Sequence, residues 1–152
     1  MDACRSCKSI SGEDRISPGP PIYTGKHWAL EHAYPVALVG WVVLVLKEHK
    51  ETIAELTPPE WAEFGVLLPA AVRLVKEYVF SCESQYVLSL NAAKGFHHVH
   101  WHVIPVTPDV PKELRGSRIF ALAGGKDQYP AADASLVTRW CAEARSAFPG
   151  LL

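Results

Sequence analysis

Three kinds of hydrophobic pattern run along this chain, and each predicts a different element. Residues 41–46, WVVLVL, are apolar at every position and partly β-branched, which suits a central strand buried on both faces. In residues 57–80, TPPEWAEFGVLLPAAVRLVKEYVF, the apolar side chains of Trp61, Phe64, Leu68, Val72, Val75 and Val79 recur at a helical period and predict a core-facing stripe. Thr57 supplies a cap, Pro58 suits the first helical position and Glu60 completes a capping box. Pro69 removes one backbone bond and predicts a kink, with Gly65 four residues earlier softening the clash. Residues 133–148, DASLVTRWCAEARSAF, carry a second helical stripe through Leu136, Trp140 and Phe148. Shorter β-prone runs complete the set. IYTGKHWALEHA reads as a hairpin turning at Thr24-Gly25-Lys26, while QYVLSLN and HHVHWHVIP read as two further strands. SGEDRISPGPP and VTPDVPKELRG, rich in Pro, Gly and polar residues, read as loops.

That order predicts an α+β fold with a mainly antiparallel sheet, one long helix and a C-terminal helix. Residues 1–152 are expected to form a single domain, with a cysteine-bearing segment at 1–20 and a loop plus C-terminal helix at 106–152. The formal net charge is -1, so no global basic field favours nucleic acid, and an anionic ligand has to be met by local groups. The N-terminus lacks the apolar run of a signal peptide and no stretch reaches the ~20 apolar residues of a membrane span, so the expectation is a soluble, cytoplasmic protein. In that setting disulfides are not expected. Cys82 and Cys141, near helical segments, read as small buried hydrophobes. Cys4 and Cys7 form a C-x-x-C pair, a chelating spacing that amounts to half a metal site.

The unusual chemistry lies in GFHHVHWHVIP, where four of the seven histidines fall within six residues. On a strand, His98, His100 and His102 share one face while Val99, Trp101 and Val103 share the core-facing one. His97 falls with the apolar set and reads as a structural or rim histidine. Three explanations compete for the row. Chance would leave the rings half-exposed on a sheet surface. A catalytic metal could take two of the rings, but His98 and His102 lie on the order of 13 Å apart along a strand rising ~3.3 Å per residue, too far to share an ion. Nucleophilic catalysis needs one neutral imidazole with a free lone pair, flanked by groups that stabilise phosphate oxygens, and the middle ring is best placed for it.

The run His98-Val99-His100-Trp101-His102-Val103-Ile104 resembles the signature of the histidine-triad (HIT) family. Cys4 and Cys7 resemble the N-terminal cysteine pair of many bacterial members, and WVVLVLKEH followed by ELTPPEW resembles the strand, histidine and helix start that precede the signature. Asn91 resembles a family asparagine near the nucleotide. The resemblance runs from Cys4 to about Ile104. It implies a HIT-like fold, homodimers and nucleotide binding. It also implies attack by the middle histidine on the α-phosphorus of a nucleoside 5′-phosphate derivative, such as a dinucleoside polyphosphate or an adenylylated amine, through a nucleotidyl-histidine. On this reading His100 is the nucleophile, supported by His98 and His102, and a backbone carbonyl holds the Nδ1 proton of His100. A structural zinc would be bound by Cys4, Cys7, His49 and His98, a closed tetrahedral set.

The stretch NAAKGFH departs from the family's Gly-Gln-Ser/Thr segment, being shorter and without the glutamine. Gly95 can still bring backbone N–H groups close to an anion, and Lys94, Arg115 and Arg118 are possible phosphate contacts. Trp28 and Trp41 are possible base-stacking residues, and positions 27–31 lie where family nucleotide pockets begin. Two other functions stay open beside the hydrolase or transferase. One is a zinc-stabilised nucleotide-binding module without turnover, and the other is metal-dependent hydrolysis at paired triad histidines.

Overall fold

In the computed structural model, which describes residues 4–152, five strands form one antiparallel sheet. The strands are β1 (Tyr23–Thr24), β2 (Trp28–His32), β3 (Val42–Leu46), β4 (Ser84–Leu88) and β5 (His100–Val106), in the spatial order β1-β2-β3-β5-β4. Three helices accompany them, α1 (Arg5–Ser11), α2 (Pro58–Tyr78) and α3 (Ala134–Ala147). The expected hairpin is present, with Tyr23 opposite Leu30 and Thr24 opposite Ala29. Its turn is tied to α2 by Glu63, whose carboxylate accepts from the N–H groups of Lys26 (2.7 Å) and His27 (2.6 Å).

Strand periodicity sorts side chains onto two faces. Trp28, Leu30, Val42, Leu44, Leu46 and Val103 pack against α2 and α3 in the larger core. The opposite face carries Trp41 and Ile104, which join Val36, Val110, Leu114, Ile119 and Leu122 in a second core. Residues 106–122 are therefore more than a surface loop. They contain two 3-10 turns, Lys112–Leu114 and Gly116–Leu122, that bury apolar side chains under the sheet.

Helix α2 starts where the capping box predicts, with the Thr57 N–H donating to Glu60 at 2.6 Å. It runs unbroken through Pro69 to Tyr78. Its buried stripe is rotated from the predicted one. Phe64, Leu67, Ala71, Leu74 and Val75 face the core, whereas Trp61 is 41% exposed. The helix is apolar on more than one face, so the period alone permits either stripe and the sheet selects between them. Lys50, just beyond β3, donates to both Glu60 oxygens at 2.7 Å and fastens the start of α2 to the loop after the strand.

Strand β5 begins at His100, not His97. Before it the backbone turns, with the His98 N–H donating to the Phe96 carbonyl at 2.8 Å and Gly95 at φ +80. Among the described residues no helix is long and apolar enough to cross a membrane.

Candidate active site and metal-ligand cluster

Because β5 starts late, the three histidines do not present one continuous row. His100 and His102 rise from the strand into a cavity of about 480 Å³ on the second face of the sheet. Its floor is β2, β3 and β5, and its walls come from α1, from Tyr34–Val36 and from Phe120. His98 is fully buried and lies outside the cavity lining, with its ring facing the cysteines. His97 is exposed on the rim side of the turn.

Backbone carbonyls fix the tautomers. A carbonyl oxygen only accepts, so the ring nitrogen facing it carries the proton. His100 Nδ1 lies 2.7 Å from the His98 carbonyl, which leaves Nε2 with its lone pair. His98 Nε2 lies 2.6 Å from the Leu46 carbonyl, which leaves Nδ1 free to ligate. At His102 the partner is a donor. The Trp41 indole N–H donates to its Nδ1 at 3.0 Å, so the proton of the neutral ring sits on Nε2. Burial holds all three rings neutral, depressing His100 and His98 below the usual histidine value and His102 to about 3. The His100 and His102 rings meet edge to face at 4.9 Å.

Asn91 is brought to the same place, but its oxygen points at protein. Its Oδ1 accepts from the His100 N–H at 3.1 Å, and the residue sits at φ +47. Ser89, two residues earlier, lies 2.6 Å from the His100 carbonyl through its hydroxyl. These two side chains hold the backbone of the central histidine from both sides. Gly95 uses its carbonyl to accept the Arg5 N–H at 3.1 Å. Of the possible phosphate contacts, Lys94 and Arg118 are exposed, and Arg115 binds Glu83 and the carbonyls of Thr107 and Val110. Trp28 is fully buried and donates to the Glu60 carbonyl, and Trp41 is fully buried beneath His102. Sequence reasoning missed the pairing of Glu31 with Arg15 at 2.8 and 3.2 Å on the cavity wall. The one available signal was a charged residue beside His32 in a strand that is otherwise apolar, Trp28-Ala29-Leu30.

Behind the cavity, Cys4, Cys7, His49 and His98 bring their ligand atoms within 4.8 Å of one another, a set able to hold a metal ion. His98 Nδ1 is 3.4 Å from the Cys4 sulfur, 3.5 Å from the Cys7 sulfur and 3.2 Å from His49 Nδ1. Cys7 Sγ is 3.4 Å from His49 Nδ1. Zinc bonds of ordinary length would place tetrahedral ligands ~3.3 to 3.8 Å apart, so the donor identities suit zinc and these four separations lie close to the tetrahedral spacing. The Leu46 carbonyl behind His98 is the outer partner that commonly orients a ligating imidazole.

No protein-family model matches the sequence, and no curated protein matches it. Solved structures do. A hypothetical histidine-triad nucleotide-binding protein from Sulfolobus tokodaii superimposes with a TM-score of 0.71 at 17% identity, over 97% of this chain and 93% of that one. A HIT family protein from Bacillus anthracis gives 0.61 at 25% identity, over 71% and 76% of the two chains. A Zn-bound histidine-triad family protein from Mycobacterium smegmatis gives 0.67 at 17% identity, over 98% and 97%. The chain has the fold of these proteins.

Proposed function

We propose that this chain is a histidine-triad nucleotide hydrolase or transferase, with His100 as the nucleophile. The observation that carries the reading is the 2.7 Å contact between His100 Nδ1 and the His98 carbonyl, which commits the proton to the inner nitrogen and leaves Nε2 as a lone pair on the cavity floor. A neutral imidazole held in this tautomer is an activated nucleophile without further proton transfer. In the reaction, the Nε2 lone pair bonds to the α-phosphorus of a nucleoside 5′-phosphate derivative. The bond from phosphorus to the leaving group breaks, and its electron pair departs with that group. His102 carries its proton on Nε2 and supplies a donor to phosphoryl oxygen. Water or another acceptor then attacks the nucleotidyl-histidine, releases the nucleoside monophosphate and restores the free ring.

Zinc at Cys4, Cys7, His49 and His98 is structural in this reading, because four protein ligands leave no open position. Its effect on chemistry is positional, since His98 both ligates and supplies the carbonyl that orients His100. Dimerisation is part of the same proposal. Trp61 and Val66 on α2 and Val87 and Leu90 at the β4 edge are exposed apolar residues that a second copy would cover.

The test is a panel of adenylate and guanylate derivatives, including dinucleoside polyphosphates and phosphoramidates, incubated without added metal. The wild-type protein releases nucleoside monophosphate, and His100→Ala lowers the rate by on the order of 10³-fold or more. An undiminished His100→Ala protein rules out the nucleophile. Ligand binding without release from any panel member favours the non-catalytic nucleotide-binding module.

A further inference from the structure

The cavity has to receive a polyanion, yet few of its charges are free to meet one. Glu31 and Arg15 neutralise each other, and Arg15 also donates to the Gly19 carbonyl at 2.8 Å. Ser9 and Ser17 on the wall accept from the N–H groups of Ile16 and Gly19. The residues leading into the triad, Ala92 to Phe96, contribute Ala93 and Phe96 to the lining, both apolar, while Lys94 is exposed away from it. His100 and His102 each have one nitrogen already engaged by protein. Arg5 is left. It opens α1, donates its N–H to Gly95, lies on the cavity wall and places its guanidinium 5.1 Å over the Phe96 ring. No side-chain acceptor for it exists among the described residues. The stacked face is held by the ring, and the N–H edges remain available.

We propose that Arg5 selects the leaving group, receiving an anionic phosphate or polyphosphate as it departs from the phosphorus attacked by His100. The inference rests on the hydrolase or transferase reading and names the substrates which that site prefers. His100 lines the cavity from β5 and Arg5 lines it from α1, so a group leaving in line, away from the strand, departs within the cavity that Arg5 borders. When the bond from phosphorus to the bridging oxygen breaks, the electron pair goes to that oxygen, and the planar fork of Arg5 meets the charge bidentately. A neutral amine leaving group gains nothing comparable.

Arg5→Gln and Arg5→Lys test the assignment, with kcat/KM measured on a dinucleoside polyphosphate and on a nucleoside 5′-phosphoramidate. Arg5→Gln is expected to lose about 10- to 100-fold more on the polyphosphate than on the phosphoramidate, the range for a hydrogen bond to a charged group. Arg5→Lys recovers part of the difference. Equal losses on both substrates, or none, overturn the proposal. A second measurement separates it from the reading beneath it. Nucleoside mono- and triphosphate binding is compared in His100→Ala and in His100→Ala with Arg5→Gln. The triphosphate is expected to bind at least about tenfold tighter only where Arg5 is present. If the wild type turns over no substrate, the hydrolase reading fails while the binding comparison still decides Arg5. A triphosphate advantage that is absent, or that survives Arg5→Gln, contradicts the role.

Discussion

Two carbonyl oxygens decide which nitrogen each of two neighbouring histidines offers. Leu46 takes the Nε2 proton of His98 and turns its Nδ1 toward the cysteines, and His98 takes the Nδ1 proton of His100 and turns its Nε2 toward the cavity. Trp41 does the converse for His102 by donating to Nδ1. Trp41→Phe keeps an aromatic ring under His102 but leaves Nδ1 without its donor, at a cost of about 1 to 3 kcal/mol. The expected outcome is a fall in kcat of roughly 10- to 100-fold with a much smaller change in KM. Steady-state kinetics checks it, and a change confined to KM argues for a binding role instead. The alternation of His98, His100 and His102 was legible in the sequence as chemistry. Its geometry was not, because period-2 reasoning assumes that a strand continues, and the turn at Gly95–Val99 removes His98 from it. Asn91 was legible as a site residue, but that its oxygen holds the His100 N–H at 3.1 Å is a tertiary fact that no local pattern records.

At the scale of elements, α2 and α3 were readable from their helical period, β3 from its unbroken apolar run and the hairpin from the glycine turn between two β-prone runs. Helix α1 was not. Its seven residues, RSCKSIS, are short and mostly polar, and an isolated helix of that length is unstable in water. It forms because tertiary contacts hold it. Cys4 caps it and Cys7 lies in its first turn, both in the metal-ligand cluster, and the Arg5 N–H is fixed by Gly95. On the proposed zinc reading, chelation is expected to raise amide exchange across residues 5–11 while β5 stays protected, as hydrogen exchange would show. Uniform loss of protection across the sheet contradicts that local role. A second element-level contact is the Lys50–Glu60 pair, in which Glu60 is 2% exposed. Burial alone would raise the Glu60 carboxyl, but the Lys50 ammonium and the Thr57 N–H outweigh it and hold the group at about 2. Lys50→Met strands this carboxylate and is expected to lower the denaturation midpoint. Adding Glu60→Gln recovers part of that, because the amide oxygen still accepts from Thr57 once the charge is gone. Denaturant titration of the single and double variants measures both.

For the molecule as a whole, one sheet separates a larger core under α2 and α3 from a smaller core that walls the cavity. The antiparallel α+β order follows from the sequence pattern, whereas the second core does not, because its residues are scattered through segments rich in proline and glycine. The same burial makes stability depend on pH. His32, the last residue of β2, is 1% exposed with its ring edge-on to Trp140 of α3, and burial pushes it down to about 4 against the opposing pull of the Ala33 carbonyl. The unfolded chain protonates it below about 6.5, while the folded one keeps it neutral until about 4. Its contribution is complete above pH 6.5 and declines as pH falls to 4, by about 1.4 kcal/mol per pH unit. His32→Gln should flatten the wild-type dependence by that slope over that window, and an unchanged slope would place the titration elsewhere. The most direct test of the account is intact-mass analysis of the protein quenched during turnover of a nucleoside 5′-phosphate derivative. The account predicts a mass increase of one nucleotidyl group, mapped to His100 and missing from His100→Ala. Sustained turnover with unmodified protein, or with the adduct on another residue, contradicts it.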